Sequence, residues 1–147
     1  MEELYRQAVM AIIENEFGKI LIGFCPKDST YKFPQGGLSD NEDPIEALRR
    51  TLQDELGFNL NTEDIVLMCS EKVSYLFPEK YLIDNDYYIG QEQYVFKIKY
   101  SKGMLLIPEN NEFAELIWIK PSDLEYYDTK HRTPAYLKAI ELIENEA

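Results

Sequence analysis

Apolar and polar positions change their period several times along this chain, and the changes mark out its elements. Residues 9–13 (VMAII) form an apolar run of strand length. Residues 14–18 are polar and end on Gly18, and residues 19–24 are mostly apolar again. Two such runs joined by a glycine turn predict a β-hairpin. Residues 26–32 read as a loop. After Asp43-Pro44 the period becomes helical: Ile45, Leu48, Leu52 and Leu56 recur every three or four residues and face a core. Asp43 can cap this helix, proline is tolerated in its first turn, and Gly57 suits its C-terminal cap. Residues 65–69 and 72–77 predict strands. Residues 93–100 alternate through Tyr94, Phe96, Ile98 and Tyr100, the clearest strand pattern in the chain. Residues 114–119 predict another strand, 121–123 a short helix or turn, and 134–145 a C-terminal helix carrying Leu137, Ile140 and Ile143. The stretch 73–90 reads as a loop or flap, above all from Pro78 onward, because Asp84-Asn85-Asp86 signals a turn.

Strands come in runs, with helices between and after them. That order fits an α/β fold with a mixed sheet packed by helices, better than a regular parallel alternation. No repeat or low-complexity linker interrupts the 147 residues, so residues 1–147 are expected to be one domain with a real core. No apolar stretch is long enough to span a bilayer, and the N-terminus does not read as a signal peptide. The two cysteines, Cys25 and Cys69, match no metal-binding spacing and are expected to be reduced thiols in a cytoplasmic protein.

The formal charge of −12 argues against broad electrostatic binding to nucleic acid or to a membrane. It leaves room for a phosphorylated substrate, because a bound divalent cation inverts the local field. For most of the acidic residues, solubility is explanation enough.

Candidate chemistry concentrates in residues 33–58, FPQGGLSDNEDPIEALRRTLQDELGF. At Gly36-Gly37 the backbone can approach a partner closely because no side chain intervenes. Asp54 and Glu55 are adjacent on the helix that follows, and Thr51 and Arg50, one turn earlier, share their face. Magnesium takes oxygen ligands and keeps water, so one or two carboxylates per ion suffice. An isolated Asp-Glu pair is usually just a solvated helix face. Here the glycine loop, the spacing of Glu42 and Arg50, and Gly57 weigh against that.

In this register the chain resembles the Nudix hydrolase family. The family box is glycine, five residues, glutamate, seven residues, then Arg-Glu-apolar-any-Glu-Glu-any-Gly-apolar. Gly36, Glu42, Arg50, Thr51, Leu52, Asp54, Glu55, Gly57 and Phe58 fall into it, with Asp54 for one glutamate and Thr51 for another. Phe33-Pro34-Gln35-Gly36-Gly37 is similar to the opening of the branch containing RNA 5′-pyrophosphohydrolases and diadenosine polyphosphate hydrolases. Tyr88-Ile89-Gly90-Gln91-Glu92-Gln93 and Asn111-Glu112-Phe113 are similar to two further segments of that branch.

The resemblance implies an α/β/α sandwich with a mixed sheet and a glycine loop–helix active site. It implies Mg2+- or Mn2+-dependent cleavage of a pyrophosphate linkage, in an RNA 5′ end or a dinucleoside polyphosphate. By it, Asp54, Glu55 and Glu112 bind metal and carry catalysis, with Gly36 beside the metal. Glu42 and Arg50 pair to hold the loop against the helix, which Gly57 ends. Gln35, Gly37, Lys27 and Arg132 are candidates for substrate contact. Gln91 and Gln93 either line a nucleotide pocket or face solvent, and His131 or Tyr136 could stack on a base. Tyr75, Tyr81, Tyr87 and Tyr88, read as exposed, could line a pocket or a dimer face.

Thr51 is the departure that bears on function, since its hydroxyl brings no charge and is a poor magnesium ligand. Three outcomes follow. The enzyme works with fewer metals; or another carboxylate (Asp40, Glu46 or Glu92) moves in; or the domain is weakened or inactive and only binds nucleotide or a protein partner.

Overall fold

The computed structural model describes residues 4–83, 86–101, 104, 106–109 and 112–146, with only the backbone described at 81–83. The expected turn at Asp84-Asn85, the side chain of Tyr81 and Asn111 lie outside them. Among the described residues, eight strands share one mixed sheet.

Strand β1 (Leu4–Glu14) lies at its centre. It pairs in parallel with β7 (Asp86–Lys99), from Leu4↔Tyr88 to Glu14↔Lys99. Its other edge is shared. Glu14 meets Ile20 of β2 (Ile20–Cys25) across the predicted hairpin, and Ala8–Met10 pair with β4 (Gln35–Gly37). Gly18, with φ of 74°, takes the left-handed conformation of that hairpin turn. Strand β2 also carries β3 (Thr30–Lys32) and β8 (Glu115–Ile119), while β7 carries β5 (Ile65–Met68) and β6 (Val73–Ile83).

Helix α1 (Pro44–Leu56) starts and stops as the sequence predicts. The Asp43 carboxylate accepts from the Ile45 N–H, and Gly57 sits at φ 62° with its N–H on the last turn. Leu48, Leu52 and Leu56 are fully buried with Val9, Ala11, Phe96 and Ile98 on one sheet face. Each contributes about 1.5–3 kcal/mol of apolar burial. Helix α2 (Thr133–Asn145) covers the opposite face, burying Tyr136, Ala139 and Ile143 with Met10, Ile12 and Ile22. The sheet therefore lies between two helices, as an α/β/α sandwich requires. No described helix is long and apolar enough to cross a membrane.

Several expectations need correction. Residues 30–32, read as loop, form β3 against Gly23–Cys25. The flap expected after Pro78 is instead the second half of β6, which pairs with β7 as far as Ile83↔Asp86. A register irregularity between Leu76 and Tyr81 accommodates the proline, and β6 has only β7 as a neighbour among the described strands. An edge strand with a bulge is where a sheet tolerates proline. Tyr75 is buried rather than exposed, whereas Tyr87 is exposed and Tyr88 half-buried. Leu137 faces away from the core formed by Ile140 and Ile143, leaving it 36% exposed. Both cysteines are buried and free.

Candidate active site

Strand β4 lays the glycine loop on the middle of β1, at Ala8–Met10, and α1 packs behind it. The fit is close at Gly36, where a Cβ would lie 2.3 Å from Thr51 Oγ1. Only glycine permits that approach. Arg50 fixes the same loop from α1. Its Nη2 donates to the Gly37 carbonyl at 2.6 Å and to Glu42 Oε1 at 2.8 Å, and its Nε donates to Glu42 Oε2. Glu42 also accepts from the Ser39 N–H at 2.9 Å. The expected Glu42–Arg50 clamp is therefore present, and the Arg50 guanidinium holds the Glu42 carboxyl below the usual glutamate range.

Beside this loop lies a cavity of about 270 Å³ lined by Gln35, Gly36 and Glu55, by Tyr75 and Gln91, and by Glu112, His131 and Arg132. Lys32 and Arg6 complete the wall that concerns its chemistry. Glu112 reaches Glu55 because the segment before it docks on the end of α1. Ile107 N–H donates to the Leu56 carbonyl and Glu109 N–H to that of Glu55, both at 2.9 Å. Phe113, buried against β2, holds the far side of this loop.

Glu55 is part-buried and accepts from the Gln35 N–H at 3.3 Å. Burial, with the Glu112 charge next in importance, pushes its carboxyl up to about 8. A cation between these two carboxylates would relieve both effects. The donor set thus fits a hard divalent ion that keeps much of its water. It does not provide a larger cluster: no group of three or more His, Cys, Asp or Glu is placed to hold a metal among the described residues. Asp54 is exposed and does not line the cavity.

None of the carboxylates considered as replacements for Thr51 lines it either. Asp40 borders a separate depression with Glu42 and Arg50, Glu46 is exposed, and Glu92 meets Lys72 and Gln7. Thr51 itself is buried, and its hydroxyl oxygen has no hydrogen-bond partner among the described residues.

Gln35 does more than line the wall. Its Oε1 accepts from the Tyr136 hydroxyl at 2.5 Å, and its Nε2 donates to the Tyr75 hydroxyl at 3.1 Å. Gln91 donates to the same hydroxyl at 3.0 Å. This relay ties the glycine loop to β6, β7 and α2. Tyr136 is fully buried in it and in the core, so it is no base-stacking ring. His131 is the better placed of the two: it lines the cavity with its ring 5.3 Å from that of Tyr75. Burial, then the neighbouring Arg132, lowers its pKa and favours the neutral ring.

Arg132 is buried with Nε and Nη1 unpartnered among the described residues, and its guanidinium lies 5.6 Å from the Tyr75 ring centre. Three expected contacts are not brought to the cavity. Gly37 borders the separate depression beside Asp40, Glu42 and Arg50. Lys27 is exposed in the turn before β3, and Gln93 is fully buried within the sheet without a side-chain partner among the described residues.

Lys32 and Arg6 were missed from sequence, whereas Tyr75, expected to line a pocket or a dimer face, does line the cavity although it is buried. Lys32 had one usable signal: it stands directly before the Phe-Pro-Gln-Gly-Gly run and four residues after Asp28, with which it pairs.

The sequence pattern described as NUDIX domain matches residues 4–140. An RNA pyrophosphohydrolase of a Nitratiruptor species is 34% identical over 149 residues, covering 97% of this chain and 95% of its own length. Another, from Wolbachia pipientis subsp. Culex pipiens, is 30% identical over 147 residues, covering 95% and 90%. Among solved structures, the MutT protein of Methanosarcina mazei Go1 superposes with a TM-score of 0.73 at 18% identity, over 99% of this chain and 97% of that one. The E. coli dihydroneopterin triphosphate pyrophosphohydrolase gives 0.72 at 14% identity, over 99% and 100%. At such identities the two structures speak for the fold alone.

Proposed function

The chain belongs to the Nudix family, and from that premise we propose that it is a divalent-metal-dependent hydrolase acting on the triphosphorylated 5′ end of RNA. We take residues 1–147 as one such domain. The observation that carries the chemistry is the placement of Glu55 and Glu112 on one cavity that Arg6, Lys32 and Arg132 also line. The choice of RNA rests on the relatives named RNA pyrophosphohydrolase, which span nearly the whole chain.

Glu55 and Glu112 would hold Mg2+ or Mn2+, and a bound ion of this kind supplies Lewis acidity toward the phosphate oxygens and the attacking water. The Gln35 N–H keeps Glu55 turned toward the cavity. Arg132 lines the cavity, and its guanidinium has the charge and geometry to meet the phosphate oxygens of the substrate. Arg6 brings a second guanidinium to the same cavity. His131, neutral beside Tyr75, offers an aromatic face to the first base. The Glu42–Arg50 clamp fixes the loop on which Gln35 and Gly36 sit, and Gly57 ends the helix one residue past Leu56. Asp54 adds negative charge next to Glu55 from outside the cavity.

The test is release of pyrophosphate from a short 5′-triphosphorylated RNA in Mg2+ and in Mn2+, with diadenosine polyphosphates and nucleoside triphosphates as comparisons. Turnover of the RNA above the others supports the reading. Preferred turnover of the dinucleotide would move the substrate, and the absence of turnover on all three with either metal would end the hydrolase reading. In that last case tight nucleotide binding would identify a binding module, the alternative that the uncharged Thr51 favours.

A further inference from the structure

Lys32 belongs to the cavity wall, yet nothing in the proposed chemistry uses it. Its side chain is 8% exposed. Its Nζ lies 2.7 Å from Asp28 Oδ2 and 3.3 Å from Glu112 Oε1. Strand β3 delivers it there, paired to Gly23 of β2, one residue before Phe33 anchors the chain in the core. The two ion pairs offset the cost of burying the ammonium. A buried ammonium between two carboxylates is a permanent positive charge at this wall.

We propose that Lys32 is a built-in counter-ion for Glu112, occupying one of its oxygens with a fixed charge so that the site takes up one divalent cation and no second. The inference rests on the metal-dependent reading above and deepens it. Two features of the site act in the same direction. At position 51 an uncharged hydroxyl, packed against Gly36, stands where the Nudix box has a carboxylate. At position 32 an ammonium takes up part of the carboxylate that remains. A second dication would have fewer ligands, and it would sit close to a like charge that cannot move into water. Glu55, which forms no ion pair among the described residues, is left as the main anchor for one ion. Asp28 fixes Lys32 from behind, and the Arg132 Nη2 lies 4.0 Å from the same Asp28 oxygen.

The test counts bound Mn2+ by the loss of its free-ion EPR signal in a titration of the intact chain. One ion per chain at saturation is expected for the unaltered protein. The Lys32→Gln variant should take up a second, and Lys32→Arg should keep one. The count on the unaltered chain needs no variant, so it decides even if Lys32→Gln fails to fold. Two or more ions on the unaltered chain overturn the proposal, as does Lys32→Gln binding a single ion with unchanged affinity. If pyrophosphate is still released in either case, the hydrolase reading survives. A chain that takes up no Mn2+ and releases no pyrophosphate removes both.

Discussion

Replacing Glu55 by glutamine tests the electrostatics of the cavity without touching its shape. In the absence of metal, the folded chain holds a proton on Glu55 up to about pH 8, against an ordinary value of 4.5. Between those two pH values the folded state binds more protons than the unfolded state, so stability falls as pH rises through the window and levels off above it. At about 1.36 kcal/mol per pKa unit, the whole shift corresponds to roughly 5 kcal/mol. Glu55 is only part-buried beside an open cavity, so about 2–3 kcal/mol is the expected share after water screens the rest. In a domain of this size each kcal/mol moves Tm by roughly 2–4 °C.

Thermal melts in EDTA from pH 5 to pH 9 read this directly. Glu55→Gln keeps an oxygen for the Gln35 N–H but removes the titration. Its Tm should equal or trail that of the unaltered protein near pH 5 and exceed it by roughly 5–10 °C at pH 9. Asp28 and Glu42, whose pKa values are lowered by Lys32 and Arg50, lose their contribution only as pH falls below that range, and they do so in both proteins. Added Mn2+ should reverse the order at pH 8, stabilising the unaltered chain and leaving Glu55→Gln nearly where it was. A Tm difference that stays constant from pH 5 to pH 9 would refute the placement of Glu55 as a buried, uncompensated carboxylate. An equal Mn2+ gain in both proteins would refute its role as the metal anchor.

Thr51→Glu should raise the rate at saturating Mn2+ at least tenfold and cost the metal-free protein about 1–3 kcal/mol in urea unfolding, because the longer side chain must crowd Gly36; an unchanged rate would mean that the missing carboxylate limits nothing. Gly36→Ala places a methyl group 2.3 Å from Thr51 Oγ1 and should destabilise by about 1–3 kcal/mol, with Thr51→Ala recovering at least half of that in the double variant; additive effects in the cycle would contradict the contact. The logarithm of kcat/KM for triphosphorylated RNA against the logarithm of salt should have a shallow slope of roughly −1 to −2, unchanged as the RNA lengthens, because only Arg6 and Arg132 are proposed to meet phosphates on a chain of net charge −12. A slope that steepens with RNA length would reveal a binding track along the surface.

Local rules carried the sequence reading a long way. The hairpin around Gly18, the Asp43 cap, the Leu48–Leu52–Leu56 stripe and Gly57 are all set by neighbours within a few residues, and each lies where expected. What failed depended on distant partners. Thr30-Tyr31-Lys32 is short, and its lysine reads as solvated; it is a strand because β2 offers an edge and Asp28 and Glu112 neutralise the charge. Pro78-Glu79-Lys80 carries breaker and charge signals, and only pairing with β7 extends β6 past them. Gln91 and Gln93 share one parity, yet one reaches the cavity and the other stays inside the sheet. The parallel register of β1 on β7, which brings Arg6 beside Gln91, joins segments some 85 residues apart and leaves no local trace. In the site, Glu55 and Glu112 were readable from the family motifs and Arg132 only as one of several candidate phosphate contacts, whereas Arg6 required the fold and Lys32 offered only its place before the Phe-Pro-Gln-Gly-Gly run.

The exchange of a carboxylate for Thr51 also bears on how the chain folds without metal. A glutamate there would add a third acidic group to Glu55 and Glu112, and three crowded carboxylates would raise one another's proton affinity further. Near neutral pH, folding would then depend on metal already being present. With threonine, Glu55 can neutralise itself by taking a proton, and Glu112 has Lys32. The Thr51 hydroxyl, unpartnered among the described residues, is a smaller cost, of the order of 1–3 kcal/mol for a buried polar group. The metal-free site is therefore close to electrically balanced, and entry of one divalent ion displaces one proton from Glu55. Metal affinity should accordingly rise with pH up to about 8, the value at which that proton is lost unaided.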